Sequence, residues 1–357
     1  PLGVNVPAFS VTAEDKKLAR HRLSLEASET VFLFAGRLSF HAKANPAPMY
    51  QALEKVVATG QRITCIEAGI FPNEPIKAAY FAAQKALAPS VRFIWVDGSD
   101  AAQYRHAWRA ADVFVSASDN IQETFGLTPI EAMAAGLPVV VSDWDGYRDT
   151  VRDGVDGFVC RTVLPPSGAG TDLALRYALS LDTYDQYIGR TSLSTVIEPN
   201  ALAEAFQRLA SDKELRNQMG FAGRQRAETE YDWPVILRRY SQLAFQLSEI
   251  RQIQTESLGE VWPHRADPYL RFSHYASTTL RSECLIRMRA DARRQFDVMS
   301  GLALSNYGLD PGAVSAELIG AVIAILERGD ASVGSILAQG LHCDAFVLRA
   351  LMWLWKF

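Results

Sequence analysis

Cysteine is scarce and scattered, with four in 357 residues: Cys65, Cys160, Cys284 and Cys343, none in C-x-x-C spacing. That excludes a zinc cage and a dense disulfide framework, and it suits a reducing, cytoplasmic setting. An excess of either charge is missing too. Thirty-six basic residues face 40 acidic ones, net -4, so no global positive field draws nucleic acid or an anionic bilayer, and any anion must be held by local chemistry. The longest apolar runs, around Ala132–Val141 and Leu318–Leu326, are about half the length that spans a bilayer, so no transmembrane segment is expected. The opening Pro1-Leu2-Gly3-Val4 has no methionine, basic n-region or apolar h-region, which predicts no signal peptide and an internal start with an N-terminal half not included.

What is present is ordinary globular material, 48% hydrophobic and 21% charged, enough for about two domains at roughly 150 residues each. From Val31 to Val141 short β-branched runs alternate with helix-length segments, the rhythm of a parallel sheet with crossover helices. The strands are expected at Val31–Ala35, Arg62–Glu67, Val91–Val96, Asp112–Ser116, Pro138–Ser142 and Gly157–Cys160. Runs apolar on both faces, such as Val139-Val140-Val141, call for helices on either side, hence a doubly wound α/β fold. Residues 161–195, with Pro, Gly and Ser, read as a surface excursion. Helices resume at Asn200–Ala210, Asp212–Glu230 and Val235–Ile250, and Glu256–Asp267 reads as a linker. The expected division is therefore 1–255 and 256–357.

Chemistry concentrates in Glu123-Thr124-Phe125-Gly126-Leu127-Thr128-Pro129-Ile130-Glu131, which leads from a strand's carboxyl end into a helix. Thr128 as N-cap, Pro129 at the first helical position and Glu131 three residues past the cap form a capping-box signature. The free N–H groups and positive dipole end of that helix, with Gly126 admitting close approach, make an anion site suited to phosphate. A second loop opens at Gly36-Arg37 and carries His41, Lys43 and Asn45. Loops at neighbouring carboxyl ends converge in such folds, so Arg37 and Lys43 are expected at the same phosphates. His41 reads as an ordinary structural histidine, for want of a nucleophile or metal partner. Asp97, Asp143 and Asp145 fall near strand ends, without the paired spacing of metal ligands, and read as turn or cap residues.

These residues resemble a known family. Glu123 and Glu131, eight apart, come with Phe125-Gly126, with Glu131-Ala132-Met133-Ala134-Ala135-Gly136-Leu137-Pro138-Val139 and with Ala35-Gly36-Arg37-Leu38, in the order of the Glu-x7-Glu motif of retaining GT-B glycosyltransferases, family four. The resemblance covers roughly residues 1 to 247. It implies the donor-binding C-terminal, Rossmann-like half of a GT-B fold, a nucleotide-sugar-binding domain over 1–255. By that resemblance Arg37 and Lys43 hold the diphosphate, Glu131 the ribose hydroxyls and Glu123 the donor sugar. Backbone at Gly36 and around Phe125, Gly126 and Leu127 lies on phosphate and sugar. It implies transfer from a nucleotide-diphosphate sugar to an acceptor with retained configuration, with no cofactor and no metal, the acceptor half lying outside this chain. Arg37 and Lys43 are six apart where the family usually has five.

Two other readings stay open: a GT-B sugar-nucleotide epimerase, and a non-catalytic nucleotide-binding interaction module. Residues 256–357 read as a helical appendage. Its helices Ala313–Glu327, Ser332–Gln339 and Asp344–Lys356 resemble a winged-helix module, yet residues 262–357 hold ten Lys/Arg against nine Asp/Glu, and the third helix is too apolar to read a groove. Packing is the expected role, and no nucleic-acid partner follows.

Overall fold

The computed structural model describes residues 2–253, 267–305 and 314–357. Six strands form one parallel sheet: β1 (Thr30–Ala35), β2 (Ile63–Gly69), β3 (Arg92–Asp97), β4 (Val113–Ser116), β5 (Val139–Ser142) and β6 (Gly157–Cys160). Their order is β3-β2-β1-β4-β5-β6, the doubly wound order whose direction reverses between β1 and β4. Each expected strand is present within two residues at either end. β1, β4 and β5 are buried at every position, which explains their β-branched and aromatic composition, while the outer strand β3 is partly exposed.

The connections are helical: α1 (Ala13–Arg22), α2 (Ala47–Val57), α3 (Glu74–Leu87), α4 (Ala101–Ala110), α5 (Leu127–Ala134) and the single turn α6 (Tyr147–Thr150). On one face α2 packs on α9 (Pro199–Ser211), with Phe32 of β1 against Phe206 at 4.9 Å between ring centroids. Between them come β7 (Thr162–Leu164), α7 (Thr171–Ala178), α8 (Tyr184–Ser192) and β8 (Val196–Ile197). α10 (Lys213–Arg226) runs into a π-helical turn at Ala227–Tyr231 and then α11 (Trp233–Ile253).

The C-terminal residues are mainly helical: α12 (Pro268–Arg271), α13 (Ala292–Ser300), α14 (Ala316–Leu326), α15 (Val333–Leu337) and α16 (Asp344–Lys356). Three two-residue strands add to them, β9 (Thr278–Thr279), β10 (Leu285–Ile286) and β11 (Ala331–Ser332), the last two paired antiparallel. The linker expected at Glu256–Asp267 lies outside the described residues up to 266. Asp267 itself caps α12 through Tyr269 N.

The segment 161–195 differs from a surface excursion. β7 pairs antiparallel with β8 and parallel with β9, so a strand from beyond residue 267 completes its sheet. Tyr187 to Ser192 of α8 are all buried, and α16 packs against β8. The cover for these apolar residues is supplied by chain far away in sequence, which no local pattern reveals. Seven consecutive residues of α16, Val347–Trp353, and then Lys356 are buried. Among the described residues no helix is long and apolar enough to cross a membrane.

Candidate functional site

The reversal between β1 and β4 separates two loops at the carboxyl edge of the sheet, residues 36–46 and 117–126, where ligands of doubly wound folds sit. The structure brings Lys43 of the first loop onto Glu123 of the second, Nζ donating to Oε2. Arg37 folds back along its own loop, donating from Nη2 to Ala42 O at 2.7 Å and to Gln122 Oε1 at 3.4 Å. Three cation and carboxylate residues expected together, Arg37, Lys43 and Glu123, therefore share one edge.

A cavity of ≈570 Å³ opens at the carboxyl ends of β1, β2 and β3, lined by Gly36, Arg37, His41, Tyr104 and Asp185 among others. Lys43, Glu123 and Glu131 are not part of that lining. Glu131 lies on α5 beside the cavity wall: burial raises its pKa, and its charge adds to the burial that raises the Tyr104 phenol. No protein donor satisfies Glu131 among the described residues. His41 is buried, with Ser39 Oγ 3.4 Å from its Nδ1. Burial lowers its pKa most; the Asp185 charge pulls it back up, and the Arg37 charge adds the smallest push downward.

The start of α5 differs from the capping-box expectation. The helix begins at Leu127 with Gly126 as N-cap, and no side chain caps it. Thr128 and Pro129 are thus inside the first turn, and Glu131 is freed from capping duty. The reason is Gly126, at φ +78°, a left-handed conformation that glycine alone adopts without cost. A Cβ there would also lie 2.1 Å from Tyr147 Cε1. The glycine therefore seats the Tyr147 ring as well as leaving backbone exposed. Among the described residues the N–H groups of Phe125, Gly126, Leu127 and Thr128 meet no protein acceptor. Together they form a positive, unsaturated corner next to Lys43.

Tyr147 escaped the sequence reading. Its hydroxyl meets Ser116 Oγ at 2.6 Å, and burial, then the neighbouring Glu123 carboxylate, push its pKa well above the ordinary phenol. Missed as well were Ser118, Asp119 and Asn120, all buried, whose side chains bind the backbone of the Arg37 loop. Their sequence, Ala-Ser-Asp-Asn, carries the signature of an ordinary polar turn. Of the aspartates near strand ends, Asp97 does local turn work, accepting from Ser99 N and Oγ, whereas Asp143 accepts both from nearby Arg148 and from Ser277 far along the chain. Asp145 takes a positive φ of 35° in its turn, its carboxyl against Tyr275. All four cysteines are free thiols.

The sequence itself has relatives. Residues 15–166 match the family described as glycosyl transferases group 1. The D-inositol 3-phosphate glycosyltransferase of Geodermatophilus obscurus is 33% identical over 165 residues, 44% of this chain and 35% of the relative. The phosphatidyl-myo-inositol mannosyltransferase of Mycobacterium leprae is 33% identical over 150 residues, 41% of this chain and 30% of the relative. This chain therefore spans about a third of the length of the curated relatives it matches. Among solved structures, the sucrose-phosphate synthase of Thermosynechococcus elongatus aligns at a TM-score of 0.48 with 26% identity, covering 70% of this chain and 52% of that one. The HepE protein of Anabaena, solved with UDP, aligns at 0.48 with 20% identity, covering 69% and 56%. The similarity to the group 1 glycosyl transferase family thus rests on residues 15–166 of the chain.

Proposed function

We propose that this chain is the donor-binding half of a retaining, family-four glycosyltransferase that takes its sugar from a nucleotide-diphosphate donor. The observation that carries the reading is the meeting of Lys43 and Glu123 across the switch between β1 and β4, beside the unpaired N–H groups of residues 125–128. A diphosphate placed there takes Lys43 and Arg37 as counter-cations and the N–H groups as donors. When the bond from the anomeric carbon to the phosphate oxygen breaks, the charge on the departing diphosphate falls on those cations and N–H groups.

Glu131, half-buried and without a protein donor among the described residues, accepts from the ribose hydroxyls in this reading, and the neighbouring Arg37-lined cavity takes the base. Glu123, released from Lys43 by the incoming phosphate, accepts from the sugar. Gly36 and the backbone of Phe125, Gly126 and Leu127 lie along phosphate and sugar. In this reading no cofactor or metal takes part, the acceptor is held by a half outside these residues, and the free thiols fit a cytoplasmic setting.

Calorimetric titration with UDP, GDP and ADP tests it. One nucleoside diphosphate should bind, and Lys43→Met and Arg37→Met should each weaken it by about one to two decades, the value of a charged hydrogen bond. Binding of none of the three, or unchanged affinity in both variants, would overturn the reading.

A further inference from the structure

Residues 118–120 form a spine between the two site loops. Ser118 Oγ donates to Lys43 O at 3.1 Å, Asp119 Oδ1 accepts from Asn45 N at 3.3 Å, and Asn120 Nδ2 donates to His41 O at 2.8 Å. Three successive side chains thus hold three alternate residues of the Arg37 loop. From behind, Ser142 Oγ donates to Ser118 O at 2.6 Å and Trp144 Nε1 to Asn120 O at 3.1 Å.

The remaining support comes from the far end of the chain. Lys356 Nζ of α16 donates to Asp119 Oδ2 and to Ser192 O, the latter at 2.6 Å. Both Lys356 and Asp119 side chains are 0% exposed. Asn45 is gripped from the same side, its Nδ2 donating to Leu304 O at 2.9 Å. Trp353 Nε1 holds that segment to α16 through Ser305 O at 2.8 Å. The C-terminal segment therefore touches both site loops at their hydrogen-bonded joint.

We propose that Lys356 is a positioning residue of the donor site: through Asp119 it fixes the loop of Arg37 and Lys43 against the loop of Glu123. The inference rests on the donor reading above. A lysine serves because its ammonium carries three donors, two of which are used here on a carboxylate and a carbonyl arriving from different elements. That charge favours the ionised form of Asp119 against the burial that opposes it, and an ionised carboxylate accepts from Asn45 N more strongly than a neutral side chain would. A site whose loops are anchored in this way keeps the sub-ångström geometry that phosphate binding demands.

The test compares two variants of the whole chain. Lys356→Met with Asp119→Asn removes the anchor without stranding a charge. Arg349→Met removes the contact from the same helix to Asp172, 3.0 Å away, which touches neither loop. Affinity is read with whichever of UDP, GDP and ADP the wild type binds, and loop order by amide hydrogen exchange. The double variant should bind about tenfold more weakly and exchange residues 38–45 and 118–124 about tenfold faster, with Arg349→Met changing neither. Unchanged loop exchange in the double variant, unchanged affinity where the wild type binds, or equal effects from Arg349→Met would overturn the proposal. Should the double variant fail to fold, Asp119→Asn alone replaces it under the same outcomes. If the wild type binds none of the three nucleotides, the donor reading fails, and hydrogen exchange alone decides whether Lys356 anchors the loops.

Discussion

Two lysine–carboxylate pairs hold the 117–126 loop, four residues apart, and they live in opposite surroundings. Lys43 and Glu123 keep 23% and 10% of their side chains exposed, whereas Lys356 and Asp119 keep none. Burial pushes the Asp119 pKa up and that of Lys356 down, and each partner's charge opposes the shift. The first pair can exchange its partner for a ligand, since water reaches both groups. The second is closed to water and held further by Ser192 O and Asn45 N, so it fixes geometry. On the proposed donor reading, identical chemistry serves binding at one point and rigidity at the other, and solvent access decides which.

Removing one cation from each pair should break the comparison most visibly. Lys356→Met leaves a carboxylate stranded in a dry interior, a loss of about 3–5 kcal/mol in denaturant unfolding. Lys43→Met at the partly wet pair should cost no more than about 1 kcal/mol. Equal losses in the two variants would show that the pairs share one environment.

A third buried carboxylate sharpens the point, because no Lys or Arg pairs with it among the described residues. Glu67, in the middle of β2, accepts from Tyr50 OH at 2.6 Å and Gln84 Nε2 at 2.7 Å. Burial raises its pKa from 4.5 to about 7, against the pull of those two hydrogen bonds. The folded chain then keeps a proton that the unfolded chain has released. Stability should fall as pH rises through the window from about 4.5 to about 7, by about 3 kcal/mol in all, and level off above it. Unfolding free energies at pH 5 and pH 8 check this, and Glu67→Gln should remove most of the difference. A wild-type profile flat across that window would show that Glu67 is solvated.

How far this was legible follows the same division. The six strands could be read because their apolar, β-branched runs express burial locally. Lys43, Glu123 and Arg37 could be placed at one edge because topology brings strand ends together whatever the side chains do. The spine was illegible: Ala117-Ser118-Asp119-Asn120 is an ordinary polar turn sequence, and nothing local to Lys356 distinguishes it. Their meaning depends on a contact spanning 237 residues. The start of α5 was misplaced for a related reason. The Thr-x-x-Glu pattern is a local signal, and it lost to a left-handed glycine that leaves no room for a Cβ beside the distant Tyr147 ring.

That correction changes what Glu131 should do, and with it the smallest effect expected here. Were Glu131 capping α5, Glu131→Gln would lower thermal stability and nucleotide affinity together. The helix instead starts without any side-chain cap, and burial already penalises the Glu131 charge. Neutralising it should therefore leave the ligand-free protein as stable as the wild type, or slightly more so. On the donor reading, nucleoside diphosphate affinity should still fall by about one to two decades, the loss of a charged acceptor for the ribose. Glu123→Gln should keep that affinity nearly intact and lose the extra affinity of the matching nucleotide sugar. Melting curves without ligand, with calorimetry using nucleotide and nucleotide sugar, separate the two. A fall in ligand-free stability for Glu131→Gln would restore a structural role for that residue. Equal losses for both ligands in both variants would end the division of labour between the two glutamates.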